Sequence, residues 1–363
     1  MTEPLINLLD LDYAGLKAFL AGLGQKAYRA DQLLHWIYAR LAGSFEEMSD
    51  LPADLRQKLS GSARICTFGV LDEITTADGL TRKTLFRLAD GQTIESTLMF
   101  YENTGSGRER RTVCVSTQAG CALGCLFCAT GQQGFVRNLS PGEIIEQILY
   151  YARQIARQTA AGGPDIERKP ITNVVLMGMG EPLANYDNVR KAVEMLNFKR
   201  GLQMGARQIT LSTVGLVPMI ERLTAEKWPV ELAVSLHAPT DTLRDRLMPV
   251  NRTYPLSRLI PACRAYLEET GRRPTFEYAL FQGINDSEEA ARQLGSLLRG
   301  FNCSVNLIVG NTTAGCEFRS STLFQAQAFQ KHLFAAGVFN TIRVSRGTEI
   351  EAGCGQLRSR NLP

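Results

Sequence analysis

Three observations place this chain in the α/β class. From about residue 111 onward, six strand-like runs alternate with six helical stretches. The first sixty residues are helical without strands, and 44% of the 363 residues are hydrophobic, enough to bury a large core. Six βα units imply parallel strands with outer helices, as an open doubly wound sheet or an incomplete barrel. In either architecture the reactive loops sit at the C-terminal ends of the strands.

Taken in order, "LDYAGLKAFLAGLG" repeats apolar residues at helical spacing and stops at Gly24. "YRADQLLHWIYARL" does the same before Gly43, and "LPADLRQKLS" predicts a third, shorter helix. From Phe68 to Phe100 the pattern changes to short alternating runs, "TRKTLFRLADGQTIESTLMF", with Ala89-Asp90-Gly91 as a hairpin turn. The Gly-rich, charged "ENTGSGRERR" marks a boundary. Beyond it the strand-like runs are "TVCVST", "ITNVVLMG", "ARQITLST", "VELAVSLHA", "TFEYALF" and "SVNLIV". Between and after them lie "SPGEIIEQILYYARQIA", "DNVRKAVEMLN", "VPMIERLTAE", "LSRLIPACRAYLEET", "DSEEAARQLGSLLR" and "TLFQAQAFQKHLFAAG", all helical in spacing. The predicted division is an N-terminal helical domain over 1–67, a β-hairpin extension and linker over 68–110, a βα core over 111–345 and a tail over 346–363.

The N-terminus lacks a basic segment followed by an apolar run, and no stretch reaches the roughly 18 apolar residues of a membrane span. A cytoplasmic location without membrane contact is expected. Thiols stay reduced there, so nine cysteines point to metal binding or thiol chemistry rather than a disulfide framework. Residues 1–90 hold 10 Lys and Arg against 12 Asp and Glu, leaving 30 against 24 beyond, a balance that permits a polyanionic partner without requiring one.

The loop "GCALGCLFCATGQQGF" carries Cys121, Cys125 and Cys128 at the end of the first core strand. Ordinary buried cysteines do not suit a polar Gly-rich loop. Structural zinc wants four tetrahedral ligands, and no nearby fourth Cys or His completes the set unless Cys114 is recruited. Soft thiolates also suit iron–sulfur clusters, and three of them can hold three irons of a four-iron cluster while one iron stays open to substrate.

The C-x-x-x-C-x-x-C loop with an aromatic before its last Cys resembles the radical S-adenosylmethionine (SAM) superfamily. "CVSTQAGCALGCLFCATGQQGF", "LMGMGEPLANYDNV", "ITLSTVGLVP", "AVSLHAPTDTLRDRLMPVN" and "RGTEIEAGCGQL", in that order, narrow the resemblance to the RlmN/Cfr group of RNA methyltransferases. The N-terminal helices also resemble that group's accessory domain. The resemblance implies a partial (β/α)6 TIM-like barrel as the radical SAM core. It implies a [4Fe-4S] cluster on Cys121, Cys125 and Cys128, with SAM chelating the open iron. Gly180 and Glu181 of "GMGEP" match positions that meet the methionyl amino end, and a carboxylate facing an ammonium is sound chemistry. Ser212, the run Ser235, Leu236 and His237, and Asn311 match other SAM contacts; on residue type alone, each is equally a satisfied turn residue.

The same resemblance implies methylation of adenine carbon 2 in 23S ribosomal RNA, and in transfer RNA, by a radical route, because the amidine carbons of adenine are too electron-poor to attack the SAM methyl. Cys354 of "AGCGQ" matches a residue that first takes a methyl by displacement. Cys114 matches the thiol that later frees the RNA, leaving a disulfide. Glu95 matches a carboxylate that takes the proton from the adduct. An electron donor such as flavodoxin or ferredoxin is implied, and the chain is expected to be monomeric. Alternatives are a carbon-8 methyltransferase and, in another class, a metal-stapled RNA-binding scaffold without turnover, which has no use for "GMGEP" or "SLHAP". Cys66, Cys263, Cys303 and Cys316 receive no role, with Cys263 and Cys303 expected in the core. One departure stands out: where the group carries N-P-x-P-G, this chain has "NTTAGCEFRSS", without the prolines that would fix the loop.

Overall fold

The computed structural model describes residues 5–101, 109–160, 169–309, 311, 317–343 and 345–358. Most of the charged boundary segment after Tyr101, and Cys316 with the loop before it, lie outside these residues. One ten-stranded sheet organises the chain. Its strands are β1 (Gly69–Thr75), β2 (Thr81–Arg87), β3 (Thr93–Tyr101), β4 (Arg110–Cys114), β5 (Asn173–Leu176), β6 (Ile209–Thr213), β7 (Glu231–Ser235), β8 (Thr275–Leu280), β9 (Ser304–Val309) and β10 (Asn340–Arg343). Each strand pairs with its neighbours in sequence. β1 to β4 run antiparallel, and β4 to β10 are parallel.

The parallel part has one strand more than the six expected. β10 is only "NTIR", four residues with Ile342 as the single apolar side chain, which give no apolar run to detect. The antiparallel β1–β3 meander is the expected hairpin region, and its second turn closes at Gly91, whose N–H donates to the Leu88 carbonyl over 3.0 Å. Here φ is +86°, where glycine is favoured.

Helices follow the sequence pattern closely. In the N-terminal part α1 (Tyr13–Gly22), α2 (Tyr28–Leu34) and α3 (Ala53–Ser62) form the expected trio, and α2 continues as a π-helical turn over His35–Ala39. Asp12 caps α1 by accepting from the Gly15 N–H at 2.7 Å. Around the parallel strands lie α4 (Pro141–Ala160), α5 (Tyr186–Asn197), α6 (Val217–Glu226), α7 (Asp241–Leu247), α8 (Leu256–Thr270), α9 (Glu288–Leu297) and α10 (Leu323–Ala335). No helix among the described residues is long and apolar enough to cross a membrane.

Helix α4 is the post to which the N-terminal part is tied, and the ties are polar. Asp10 accepts from the Gly142 N–H at 2.8 Å, and a Cβ on Gly142 would lie 2.6 Å from Asn7 Nδ2, so only glycine permits this approach. Arg153 donates to the Leu41 and Ala42 carbonyls at 3.2 and 3.1 Å. Buried Glu146 accepts from the N–H groups of Thr67 and Phe68 at 2.6 and 3.0 Å, fixing the passage into the sheet. Apolar side chains of both parts then join one continuous buried core. Cys263 and Cys303 lie in it, as expected, whereas Cys66 is exposed.

Candidate active site

The Cys loop is pinched at its base by a two-stranded ribbon, Gln118–Gly120 against Phe135–Asn138. Cys121 N–H donates to the Gly134 carbonyl at 2.7 Å across this neck. A Cβ on Gly120 would sit 2.0 Å from that oxygen, so the neck requires glycine. Inside the loop Cys128 N–H donates to the Cys125 carbonyl at 3.1 Å, and Leu126 N–H reaches the Leu247 carbonyl at 3.1 Å. All three thiols line one cavity at the C-terminal ends of the strands. Burial pushes the Cys121 thiol up to about 12 and Cys125 well above its ordinary value, so both are neutral until a cation draws the thiolate. No three His, Cys, Asp or Glu side chains among the described residues are grouped to close on a single metal ion.

Opposite the thiols, "GMGEP" turns out of β5. A Cβ on Gly178 would lie 2.6 Å from the Val115 carbonyl, and one on Gly180, where φ is +98°, would lie 2.5 Å from Gln118 Cβ. The two glycines therefore let this turn press against the segment that leads into the Cys loop. Glu181 is 2% exposed and lines the cavity. Its carboxylate accepts from the Leu183 and Val214 N–H groups at 3.0 and 2.8 Å. Burial raises it to about 7, against the pull of these hydrogen bonds. It forms no ion pair with a side chain among the described residues, and a carboxylate has lone pairs to spare. A cationic ligand is what such a group can hold.

The strand ends supply the remaining lining. Ser212 and Ser235 face the cavity from the ends of β6 and β7. Leu236 does not: its side chain is fully buried in the core, and it offers the site only backbone. His237 has φ +54° and lines the cavity, with Nδ1 accepting from the Ala279 N–H at 2.9 Å. Burial, helped by Arg244, lowers it to about 3, so it is neutral and presents Nε2–H. Its ring meets Phe127, the aromatic before Cys128, edge-on at 4.8 Å. Asn311 lines the cavity too, but its Nδ2 donates to the Cys354 carbonyl at 3.0 Å, so it also anchors the tail.

Cys354 lies where two cavities meet. It lines the three-thiol cavity and a second, smaller one whose walls include Cys114, Tyr101 and Arg343. Both thiols are free. Burial and the neighbouring Cys354 raise Cys114 to about 12. Cys354 is an exposed residue, but loss of solvent around its sulfur raises the thiol while the Arg343 guanidinium pulls it down. The tail is held from the Cys-loop side by Ala129 N–H on the Gly355 carbonyl at 2.8 Å and Thr130 Oγ1 on the Leu357 carbonyl at 2.5 Å. Glu95 takes a different place from the site edge expected of it. It is 1% exposed in β3 and lines neither cavity; it pairs with Lys83 at 3.3 Å and accepts from the Arg358 N–H at 2.9 Å.

Several participants were not anticipated. Arg244, fully buried, donates to the carbonyls of Val214, Ser235 and Leu236 at 2.6, 3.1 and 3.2 Å and to Asn251 Oδ1 at 2.9 Å, stapling together the loops after β6 and β7. Glu277 lines the main cavity with Oε2 unpartnered; a charge inside the apolar run "TFEYALF" was its only sequence signal. Arg343 sits on the missed strand β10. Burial lowers it, but Cys354, Glu277 and Tyr101 together push it up.

Two family models match the chain: the ribosomal RNA large subunit methyltransferase N-terminal domain over residues 6–65 and the radical SAM superfamily over residues 115–294. A protein of Moorella thermoacetica named "Probable dual-specificity RNA methyltransferase RlmN" is 50% identical over 97% of this chain and 97% of its own length. A protein of the same name from Roseiflexus castenholzii is 45% identical over 98% and 96%. The crystal structure of a radical SAM methyltransferase from Sphaerobacter thermophilus superposes with a TM-score of 0.91 at 48% identity, covering 97% of this chain and 99% of that one. Near-complete coverage by such relatives, over the same helical N-terminus and three-thiol core, means that this chain belongs to the RlmN family of radical SAM RNA methyltransferases.

Proposed function

We propose that this enzyme methylates carbon 2 of an adenine in 23S ribosomal RNA, and in transfer RNA, with Cys354 as carrier of the methyl group. The observation behind this reading is the position of Cys354, which lines both cavities, with the three loop thiols in one and Cys114 in the other. Three soft sulfur donors fit a [4Fe-4S] cluster, and the buried Glu181 carboxylate, without an ion pair among the described residues, fits the ammonium of SAM. Cys121, Cys125 and Cys128 would hold the cluster; Gly180, Ser212, Ser235, His237, Asn311 and the backbone at Leu236 would surround SAM. When bound, the cluster supplies the electron that opens SAM to a carbon radical.

The chain's own residues do the rest. Cys354 loses its thiol proton and its sulfur attacks the methyl of a first SAM, taking the methyl group and releasing S-adenosylhomocysteine. After hydrogen abstraction its S-methylene group adds to adenine carbon 2. Glu95, joined to the tail at Arg358, takes the carbon-2 proton once the tail shifts enough to uncover it. Once the unpaired electron has passed back to the electron carrier, Cys114 gives up its proton and attacks Cys354 sulfur. The transferred carbon leaves with the bonding pair and takes a proton to become the methyl group, and the disulfide left behind is reduced by an external thiol. Electrons come from a flavodoxin- or ferredoxin-type donor. Residues 1–67 form the accessory domain, and 346–363 the tail that carries the methyl-accepting Cys354.

Anaerobic incubation with SAM, reductant and ribosomal RNA lacking the modification, followed by nucleoside mass spectrometry, tests this. RNA deuterated at adenine carbon 2 is expected to lose that label and RNA deuterated at carbon 8 to keep it. Loss from carbon 8 alone would overturn the regiochemistry.

A further inference from the structure

Cys354 rides on a tail that is gripped from two sides, and only the Cys-loop side belongs to the recognised motifs. The other grip lies on β2 and β3. Gly347 packs so tightly on β2 that a Cβ there would come within 2.7 Å of Thr81 Cγ2. Four residues on, Lys83 Nζ donates to the Glu351 carbonyl at 3.3 Å. Lys83 is 3% exposed and Glu95, on the adjacent strand, 1%; their ion pair at 3.3 Å lies inside the protein. Glu95 Oε2 then accepts from the Arg358 N–H at 2.9 Å. The Lys83–Glu95 pair thus touches the tail on both flanks of Cys354, at positions 351 and 358, and both contacts are to backbone.

We propose that Lys83 is a positioning residue for the methyl-carrier step, latching the tail to the hairpin so that Cys354 sulfur is held between the two cavities. A buried charge needs a partner, and removing one member of a buried pair leaves the other uncompensated. Here the pair has a second task, because each member also binds tail backbone. With Lys83 gone, the Glu351 carbonyl loses its donor and Glu95 loses the charge that holds its carboxylate beside Arg358. The tail keeps its anchors on Ala129, Thr130 and Asn311, and Arg346 still donates to the Phe100 carbonyl at 3.1 Å, outside the 351–358 segment. This inference rests on the proposed role of Cys354 for its catalytic consequence, but not for the latch itself.

The test uses the full-length, cluster-loaded enzyme and reads two things separately. Hydrogen exchange reports tail opening over 351–358, and intact mass reports methylation of Cys354. Lys83→Met and, independently, Arg358→Pro compared with Arg358→Ala should each raise exchange in that segment roughly tenfold to a hundredfold, the range of a lost charge-assisted hydrogen bond. Both Arg358 variants lose the Arg358–Glu351 ion pair, while only the proline loses the tail-side N–H. Methylation of Cys354 should slow in parallel while SAM affinity is retained, and Lys83→Arg should restore tail protection. Lys83→Met/Glu95→Gln, with no unpaired buried charge, should recover the melting temperature lost by Lys83→Met but leave the tail open. That separates the latch from general stability. Unchanged tail exchange in Lys83→Met, or recovery of tail protection together with melting temperature in the double variant, would overturn the latch. If Cys354 of the parent enzyme never takes a methyl, the reading of Cys354 fails, and exchange still decides the latch.

Discussion

The two groups of thiols around the active site are built in opposite ways. Cys121, Cys125 and Cys128 share one short loop whose neck is closed by glycines and a two-stranded ribbon. Cys114 and Cys354 are 240 residues apart, one on a central strand and one on the tail, and they meet only across the second cavity. The first group depends on local geometry. The second depends on the whole fold, since its distance is set by tail anchors on the Cys loop, Asn311 and the hairpin. Substitutions should therefore act on the first group by removing the cofactor and on the second by stopping the cycle at a defined stage.

The largest effect is expected in the loop. Replacing any one of Cys121, Cys125 or Cys128 by Ala should remove the iron, the brown colour and all methylation together, as read by iron analysis and absorbance. A colourless variant that still methylates RNA would break the distinction. Next comes the long-range pair. Cys354→Ala should retain the cluster but accept no methyl and trap no RNA, whereas Cys114→Ala should retain the cluster, accept the methyl and stall as an RNA–protein crosslink visible on a denaturing gel. If Cys114→Ala turns over without a trapped adduct, another thiol resolves it.

Smaller effects sharpen the comparison from the ligand side. Glu181→Gln keeps the size but loses the charge that would face an ammonium, so SAM binding by calorimetry should weaken roughly tenfold to a hundredfold, as for a hydrogen bond to a charged group. Colour should persist. Asn311→Ala removes a single hydrogen bond to the tail, about 0.5–1.5 kcal/mol, and should lower the rate of Cys354 methylation less than tenfold. A larger loss there, with SAM affinity falling in step, would mean that Asn311 serves the ligand more than the tail.

The same contrast governs what could be read from sequence. The loop thiols and "GMGEP" are contiguous, and their glycines report the close approaches that the structure displays at Gly120, Gly178 and Gly180. The helices α6 and α8 match their sequence runs residue for residue because their apolar spacing is long and regular. Strand β10 escaped because a single isoleucine among three polar residues carries no period. The resemblance supplied Glu95 but not its partner: Lys83 sits in a run read as alternating, where a lysine ordinarily points to solvent, yet it is buried with the Glu351 carbonyl of the tail beside its ammonium. Arg244 escaped for the same reason, since the carbonyls that neutralise its cost of burial come from turns after two different strands. Contacts made by backbone atoms of remote segments leave no trace in residue type.

The double grip on the tail has a consequence for the proposed reaction's chemical economy. A thiol carried on the same chain and pinned beside its target acts at the effective concentration of an intramolecular group, in the millimolar range or far above it when well oriented. Dissolved thiols are outcompeted for the methyl without being excluded by any lid. Of the thiols in the cycle, the one that reduces the Cys114–Cys354 bond is then the one that arrives by diffusion, and this is the step whose pace the surrounding thiol pool would set.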